Sequence, residues 1–366
     1  MSAVVERICG HRLEGGPYQV QNAVRLSHDF GTFLSTVEAA MRSRIQLTFL
    51  AGCLSLLPWP FRASAETVTD PKLGGIDFAL QGEYKGRIQA GDFDEVWGAQ
   101  VIALGGGKFE LVGYKGGLPG DGWSRGDEIR KHSGELVAGK AAEFKTEMAL
   151  LRVEGGKLDV IVDGDSVSKL DKVERKSPTL GMRPPAGAKV LFDGSSADQW
   201  EAGSLVNGDL LGATNTASKL KLGDHTLHIE FRTPFMSEAR GQGRGNSGVY
   251  LQGRYECQVL DSFGLEGKDN ECGGIYSIAS PQLNMCLPPL AWQTYDIDFT
   301  AARYEGDKKV KNARVTIRHN GVVIHNDLEL THGTPGYKPE GPGKESLFLQ
   351  DHGNPVVFRN VWLVEK

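Results

Sequence analysis

The sequence predicts a mainly β protein: a sandwich of antiparallel sheets in the C-terminal half, preceded by a smaller β-rich domain. Apolar and polar residues alternate in Thr226-Leu-His-Ile-Glu-Phe-Arg, Tyr295-Asp-Ile-Asp-Phe-Thr, Ala313-Arg-Val-Thr-Ile-Arg-His and Val356-Val-Phe-Arg-Asn-Val-Trp-Leu-Val. That period of two marks half-buried strands. Turn signals stand between them, at Asn320-Gly321 and at Gly353-Asn354-Pro355. Helical periodicity is nearly absent, and 48 glycines in 366 residues fit many tight turns between short strands.

Taken in order, residues 1–40 show no sustained periodicity and read as an over-extended start or a disordered leader. The segment Met41 to Ala65 has the layout of a secretory signal: Arg42 and Arg44, an apolar run from Ile45 to about Leu57, then Ala63-Ser64-Ala65. Leu50-Ala51-Gly52-Cys53 also resembles a lipoprotein box, but the apolar run continues past Cys53, which favours cleavage after Ala65. Either route predicts a periplasmic or secreted protein with no integral span in the mature chain, because the apolar segment is short and interrupted by prolines.

Residues 66–176 form the smaller domain. Gly98-Ala-Gln-Val-Ile-Ala-Leu, Lys108-Phe-Glu-Leu-Val-Gly-Tyr and Lys157-Leu-Asp-Val-Ile-Val-Asp read as strands, and Gly139 to Arg152 as a helix. Residues 177–188, with Pro178, Pro184, Pro185 and Gly187, read as a linker, and 189–366 as the larger domain.

Several functions are disfavoured at this stage. A net charge of −5 gives no footprint for nucleic acid. Gly243, Gly245 and Gly248 match a dinucleotide fingerprint, but a strand pattern follows them where the pyrophosphate site needs a helix N-terminus. The five cysteines have no C-x-x-C spacing. In an exported chain Cys272 and Cys286 are the candidate disulfide, with Cys257 a buried small hydrophobe on its strand.

Sorting residues by strand parity leaves His228, Glu230 and Arg232 on one polar face. The same sorting leaves Asn246, Tyr250, Gln252, Glu256 and Gln258 on the polar side as well, with Gln350 and His352 following near the C-terminus, and together these residues would form one polar concave surface. A solvated surface explains such residues equally well. Carboxylate, guanidinium, amide and ring together are the groups that bind sugar hydroxyls and stack on sugar faces, with glycines allowing close approach.

Glu230-Phe231-Arg232, Asn246-Ser247-Gly248-Val249, Tyr255-Glu256-Cys257-Gln258-Val259-Leu260-Asp261, Gly274-Ile275-Tyr276, Trp292-Gln-Thr-Tyr-Asp and Leu349-Gln350-Asp-His352-Gly353 through Phe358-Arg359-Asn360 resemble the 3-keto-disaccharide hydrolase family. The resemblance runs from about Lys189 to Glu365; Cys257 stands where Val or Ile is usual. It implies a concanavalin A-like jelly-roll sandwich, similar to family 16 glycoside hydrolases and legume lectins and often found on exported bacterial proteins.

It also implies cleavage of 3-keto-glycosides by proton abstraction at C2 and elimination or hydrolysis at C1, after a separate sugar 3-dehydrogenase has oxidised the substrate. His352 or Glu256 is then expected as base, with Glu230 or Asp261 assisting the leaving group. Arg232, Asn246, Tyr250, Gln258, Tyr276, Gln350 and Arg359 are expected to hold the keto oxygen and hydroxyls. Each has a plainer role open to it: Asp261 capping a turn, Arg359 pairing a neighbouring acid, His352 bracing the Gly353 turn.

No cofactor is required. A divalent ion such as calcium stays open, with oxygens available in the Glu266, Asp269, Asn270, Glu271 run, which reads equally as a solvated loop. Direct glucan cleavage of the family 16 kind is disfavoured, since Gln258 stands where that motif has its middle Asp. The rivals are a non-catalytic carbohydrate-binding module and, more weakly, a structural surface protein.

Overall fold

A computed structural model of the chain describes residues 67–90 and 93–366, which belong to one compact unit. The export segment 41–65, the leader before it, Cys9 and Cys53 lie outside the described residues. The fold is mainly β throughout, as the alternation predicted, in two parts.

The first part is a closed antiparallel barrel of eight strands: β1 (Gly82–Ala90), β2 (Phe93–Gly105), β3 (Lys108–Lys115), β4 (Ile129–Val137), β5 (Ala141–Lys145), β6 (Leu150–Glu154), β7 (Lys157–Val162) and β8 (Asp165–Val173). Each strand pairs with the next, and β8 returns to β1 through Glu83 opposite Val173, so the sheet has no free edge. The helix expected over 139–152 is absent. Two strands stand there, β5 and β6, joined by a turn in which the Thr146 hydroxyl accepts from the Met148 and Ala149 N–H groups.

Strand β2 is buried on both faces, and the reason is tertiary. Trp97, Ala99, Val101 and Ala103 fill the barrel interior with Tyr84, Phe109, Leu111 and Phe144. Ile102, on the opposite face, packs with Val112, Tyr114 and Phe263 of the second part. Polar anchors fix this contact. The Arg125 guanidinium donates to the carbonyls of Glu266, Gly267, Pro281 and Gln282, and Arg240 to that of Leu104.

The second part is a sandwich of two antiparallel sheets. Its strands are β9 (Lys189–Phe192), β10 (Trp200–Glu201), β11 (Leu205–Val206), β12 (Leu210–Gly212), β13 (Thr216–Leu222), β14 (His225–Arg232), β15 (Ser247–Leu251), β16 (Tyr255–Val259), β17 (Gln293–Thr300), β18 (Ala313–His319), β19 (Val322–Leu330), β20 (Glu345–Leu349) and β21 (Val357–Glu365). The larger sheet runs β11-β12-β21-β14-β17-β18-β19, with β9 also on β21; the smaller runs β10-β13-β20-β15-β16.

Leu227, Ile229 and Phe231 from one sheet meet Val249, Leu251, Cys257, Val259, Leu347 and Leu349 from the other in a single core. Asn320 and Gly321 join β18 to β19 with φ of 50° and 82°, the paired positive angles of a tight hairpin turn. Cys257, Cys272 and Cys286 are free, buried thiols, so the disulfide expected between Cys272 and Cys286 is not formed. Cys272 Sγ instead lies 3.2 Å from the Tyr295 hydroxyl.

Residues 177–182 of the expected linker lie against the larger sheet. The Ser177 hydroxyl is 2.6 Å from that of Thr294, and Thr179 donates to Asp296 at 2.6 Å. Among the described residues no helix is long and apolar enough to cross a membrane.

Candidate functional site

The residues singled out in the sequence fall on two different sheets. Because Leu227, Ile229 and Phe231 enter the core, β14 turns His228, Glu230 and Arg232 outward from the larger sheet. Because Val249, Leu251, Tyr255 and Cys257 enter from the other side, β15 and β16 turn Tyr250, Glu256 and Gln258 outward from the smaller sheet. The two sets therefore occupy opposite outer faces and cannot share one sugar.

On the larger sheet Glu230 is saturated. Its Oε2 accepts from Arg359 Nε at 2.7 Å, and its Oε1 accepts from Asn360 at 2.9 Å and from the Gly181 N–H at 2.6 Å. His228 Nε2 lies 3.5 Å from Oε1, and His228 Nδ1 lies 2.6 Å from Asp296. Burial alone would raise the Glu230 carboxyl, but the His228, Asn360, Arg359 and Gly181 hydrogen bonds outweigh it and hold it at about 2. For His228 burial acts downward, and the Asp296 and Glu230 carboxylates reverse it. The ring stacks on Trp362, 5.0 Å between centroids, and residues 177–182 close over the group. Such a fixed, paired carboxylate suits a structural role.

Glu256 has the opposite environment. It is 3 % exposed, and among the described residues its one side-chain partner is the Tyr250 hydroxyl, which donates to Oε2 at 2.8 Å. Burial pushes its carboxyl up to about 7, against the smaller opposing pull of the Tyr250 bond. The Tyr250 hydroxyl accepts from Gln350 Nε2 at 3.0 Å. Beside it, Gln258 Nε2 and Asn246 Nδ2 converge on Gln242 Oε1, at 3.1 Å and 3.2 Å.

Three buried amide oxygens of this cluster, Asn246 Oδ1, Gln258 Oε1 and Gln350 Oε1, have no partner among the described residues. Buried acceptors are normally satisfied, so three together are what a face built for hydroxyl donors would leave open. Tyr276 borders the group: half-buried, it donates its N–H to the Glu256 carbonyl at 3.3 Å.

The glycine-rich stretch is explained here. A Cβ on Gly248 would stand 2.5 Å from Glu256 Oε1 and 2.8 Å from the Tyr250 ring, so only glycine lets the carboxyl lie flat across β15. Gly245, at φ 62°, makes the turn that brings Asn246 into line. Residues 331–344 cover the Tyr250 end. The Pro335 carbonyl lies 3.2 Å from the Tyr250 hydroxyl, Thr334 accepts the Glu256 N–H at 2.9 Å, and Tyr337 stacks on Phe348 with centroids 3.9 Å apart.

Besides Glu230, several of the residues singled out in the sequence stand outside this cluster. Asp261 lies past the end of β16 and pairs with buried Arg244 at 2.7 Å, beside the barrel, where it also accepts from the Phe263 N–H. Arg232 and Arg359 lie over the Trp292 ring, at 5.0 Å and 3.9 Å, on the Glu230 side. His352 is exposed on the turn after β20. Gln252, sorted with Tyr250 by parity, bends into a turn at φ 53° and donates to the Leu222 carbonyl.

Gln242 and Thr334 were missed by the sequence reading. They come from a short turn and a long loop, where no periodicity points to a face. Glu271 of the acidic run accepts the Gly267 and Lys268 N–H groups and so shapes a turn. Among the described residues no group of three or more His, Cys, Asp and Glu side chains is placed to hold a metal ion.

Comparison with known proteins bears on residues 187–364, which match the 3-keto-alpha-glucoside-1,2-lyase-like domain. Two crystal structures, each described as a "putative glycosyl hydrolase" from Parabacteroides distasonis, are similar to part of the chain. The first is 31% identical, covers 50% of this chain and 85% of its own, and has a TM-score of 0.46. The second is 18% identical, covers 49% and 94%, and has a TM-score of 0.37. No curated protein matches. The barrel lies outside the family match. Through residues 187–364, the chain belongs to the 3-keto-alpha-glucoside-1,2-lyase-like family of carbohydrate-active proteins.

Proposed function

We propose that the chain cleaves 3-keto-glycosides at the Glu256 cluster of the smaller sheet. The observation that carries this reading is a carboxyl poised at about 7, hydrogen-bonded to Tyr250 and flanked by three unpartnered amide oxygens. A general base works best when its pKa lies near the working pH.

A ketone at C3 acidifies the C2 proton. Ionised Glu256 takes that proton, the C2–H electron pair forms the C1=C2 bond, and the C1–O bond breaks. The leaving oxygen ends with a proton, so the step is redox-neutral. Addition of water across the new double bond would make the net reaction a hydrolysis. The Gln258, Gln350 and Asn246 amides hold the hydroxyls, and amide N–H groups facing the C3 oxygen would steady the enolate. The Tyr250 phenol, beside Glu256, is the group best placed to return the proton. His352, exposed on its turn, is left to the rim.

Glu256 is covered, so the 331–344 segment has to move aside for a sugar to enter. That cover favours a second reading, carbohydrate binding at the rim without turnover. The deciding experiment incubates the protein in D2O with a 3-keto-disaccharide and with its unoxidised parent, beside Glu256→Gln, following products by mass spectrometry. Cleavage of the keto sugar alone and its loss in the variant are expected, with deuterium at C2 in any product formed by addition of water across the C1=C2 bond. Binding without breakdown would select the binding module, and cleavage of the parent sugar would overturn the ketone requirement.

The ketone has to come from a separate sugar 3-dehydrogenase, which belongs to the same proposal. So does export: mature protein from the cell envelope should begin at Glu66, and an N-terminus at Met1 in the cytoplasm would refute it.

A further inference from the structure

A cleft of about 460 Å³ opens at one end of the sandwich, and Glu256 is not among the residues that line it. This is within the range of small-molecule sites, roughly 300–1,000 Å³. Its apolar walls include Val206, Pro234, Leu290 and Val356, and its polar groups include Arg232, Thr233, Asn354 and Asp351.

Two of these groups lack the partners their environment calls for. Arg232 forms no ion pair among the described residues, although it is only partly exposed. Burial and the neighbouring Arg359 charge depress its guanidinium, and the carboxylates of Asp70 and Asp209 act on it only as more distant charges. Asp70 is already occupied in capping the Lys72 N–H. Arg359, by contrast, has Glu230. Thr233 is 0% exposed, lines the cleft, and its hydroxyl has no hydrogen-bond partner. A half-desolvated cation and a buried orphan hydroxyl are both costly when left alone.

The other polar groups set the orientation. Asn354 spends its Oδ1 on the Asn246 N–H at 2.8 Å, leaving its NH2 group for a ligand. Asp351 accepts from the Gly353 N–H at 2.7 Å and adds one negative charge to the far side. The Arg232 guanidinium is the group that can pair with one carboxylate, and Asp351 is left to accept from hydroxyls.

We propose that this cleft, which adjoins the Glu256 cluster through Asn354 but is not lined by the Glu256 carboxyl, is a second ligand site for a small hydroxylated carboxylate of the uronic acid class. Arg232 pairs with the carboxylate through its planar fork. Asn354 bonds the ring oxygens, Asp351 accepts a hydroxyl, and Pro234 and Leu290 lie against the apolar face of the sugar. A dianionic phosphate would bring two charges to one guanidinium beside the Asp351 carboxylate.

The test is calorimetric titration of the full chain with D-glucuronate, its methyl ester and D-glucose. D-glucuronate should bind at least about tenfold more tightly than either uncharged probe, the loss expected for one charge-assisted hydrogen bond. Arg232→Gln should lower its affinity by a similar factor, and raised salt should weaken it. Glu256→Gln should leave it unchanged, which separates this site from the proposed catalytic one. Should Arg232→Gln fail to fold in a thermal melt, Arg232→Lys keeps the charge, removes the fork, and should still lose affinity. Absence of D-glucuronate binding, equal binding of all three probes, or a folded Arg232 variant with native affinity would overturn the proposal.

Discussion

Glu230 and Glu256 are buried to almost the same degree, 1% and 3% exposed, yet one carboxyl is held at about 2 and the other at about 7. The difference lies in their partners. Glu230 accepts from a guanidinium, an amide and a backbone N–H, while Glu256 has one phenol. Burial pushes both upward; the number and charge of the donors decide which way each carboxyl goes. A carboxylate secured on all sides is a joint of the fold, and one left half-satisfied retains a proton near neutrality to exchange.

The sharpest break in this comparison is isosteric. Glu256→Gln should lower turnover of a 3-keto-disaccharide by about a thousandfold, the scale of a lost general base, while the protein stays folded. Glu230→Gln should do the reverse. Turnover changes little, but stability to denaturant falls by about 3 kcal/mol, because the buried Arg359 and His228 interactions lose their anion. Equal losses of turnover in the two variants would dissolve the distinction.

The two carboxyls also give stability opposite pH dependences. Glu256 titrates at about 7 in the fold against a reference of 4.5. The folded state therefore holds an extra proton between those values, and stability falls as pH rises through that window, by up to about 3 kcal/mol. Glu256→Gln removes this fall, so the variant should be the more stable protein at pH 8. Glu230, depressed from 4.5 to about 2, contributes stability that is present above pH 4.5 and lost as pH drops toward 2. Denaturation midpoints from pH 3 to 8 for both variants test the two signs together. Activity should rise with pH through about 7, as the base ionises.

Smaller effects refine the picture. Tyr250→Phe removes the one donor to Glu256, so the acid limb of the pH–rate profile should move upward by about half to one unit, as expected for a hydrogen bond of about 1 kcal/mol. A downward move would mean that Tyr250 does not stabilise the ionised base. His352→Ala should change turnover least, within about threefold, since the side chain is exposed on its turn. A loss comparable to that of Glu256→Gln would return the base role to His352.

The barrel and the sandwich show how far sequence reasoning reached. Strands at Gly98–Leu104 and Lys108–Tyr114 were visible because alternation is local, and they lie within β2 and β3. Closure was not visible, since it rests on residues near 83 meeting residues near 173. The mistaken helix at 139–152 failed because a tight turn between two short strands leaves too little alternation to register. In the site, parity correctly set Tyr250, Glu256 and Gln258 on one face. It could not say that Glu230 and Arg232 face away from them, because parity fixes sides within a strand and not between sheets.

By itself, the sequence determined the mainly β class, the antiparallel sandwich, the family resemblance from about Lys189 to Glu365, and the shared polar side of Tyr250 and Glu256. Those are set by period-two patterning and short turns, which act over a few residues. Tertiary structure alone decided that Gln350 reaches Tyr250 from 100 positions away, that residues 331–344 cover Glu256, and that Arg359 and Asn360 secure Glu230. Desolvation and hydrogen-bond partners set a carboxyl's chemistry, and both come from segments far apart in the chain that fold to the same place.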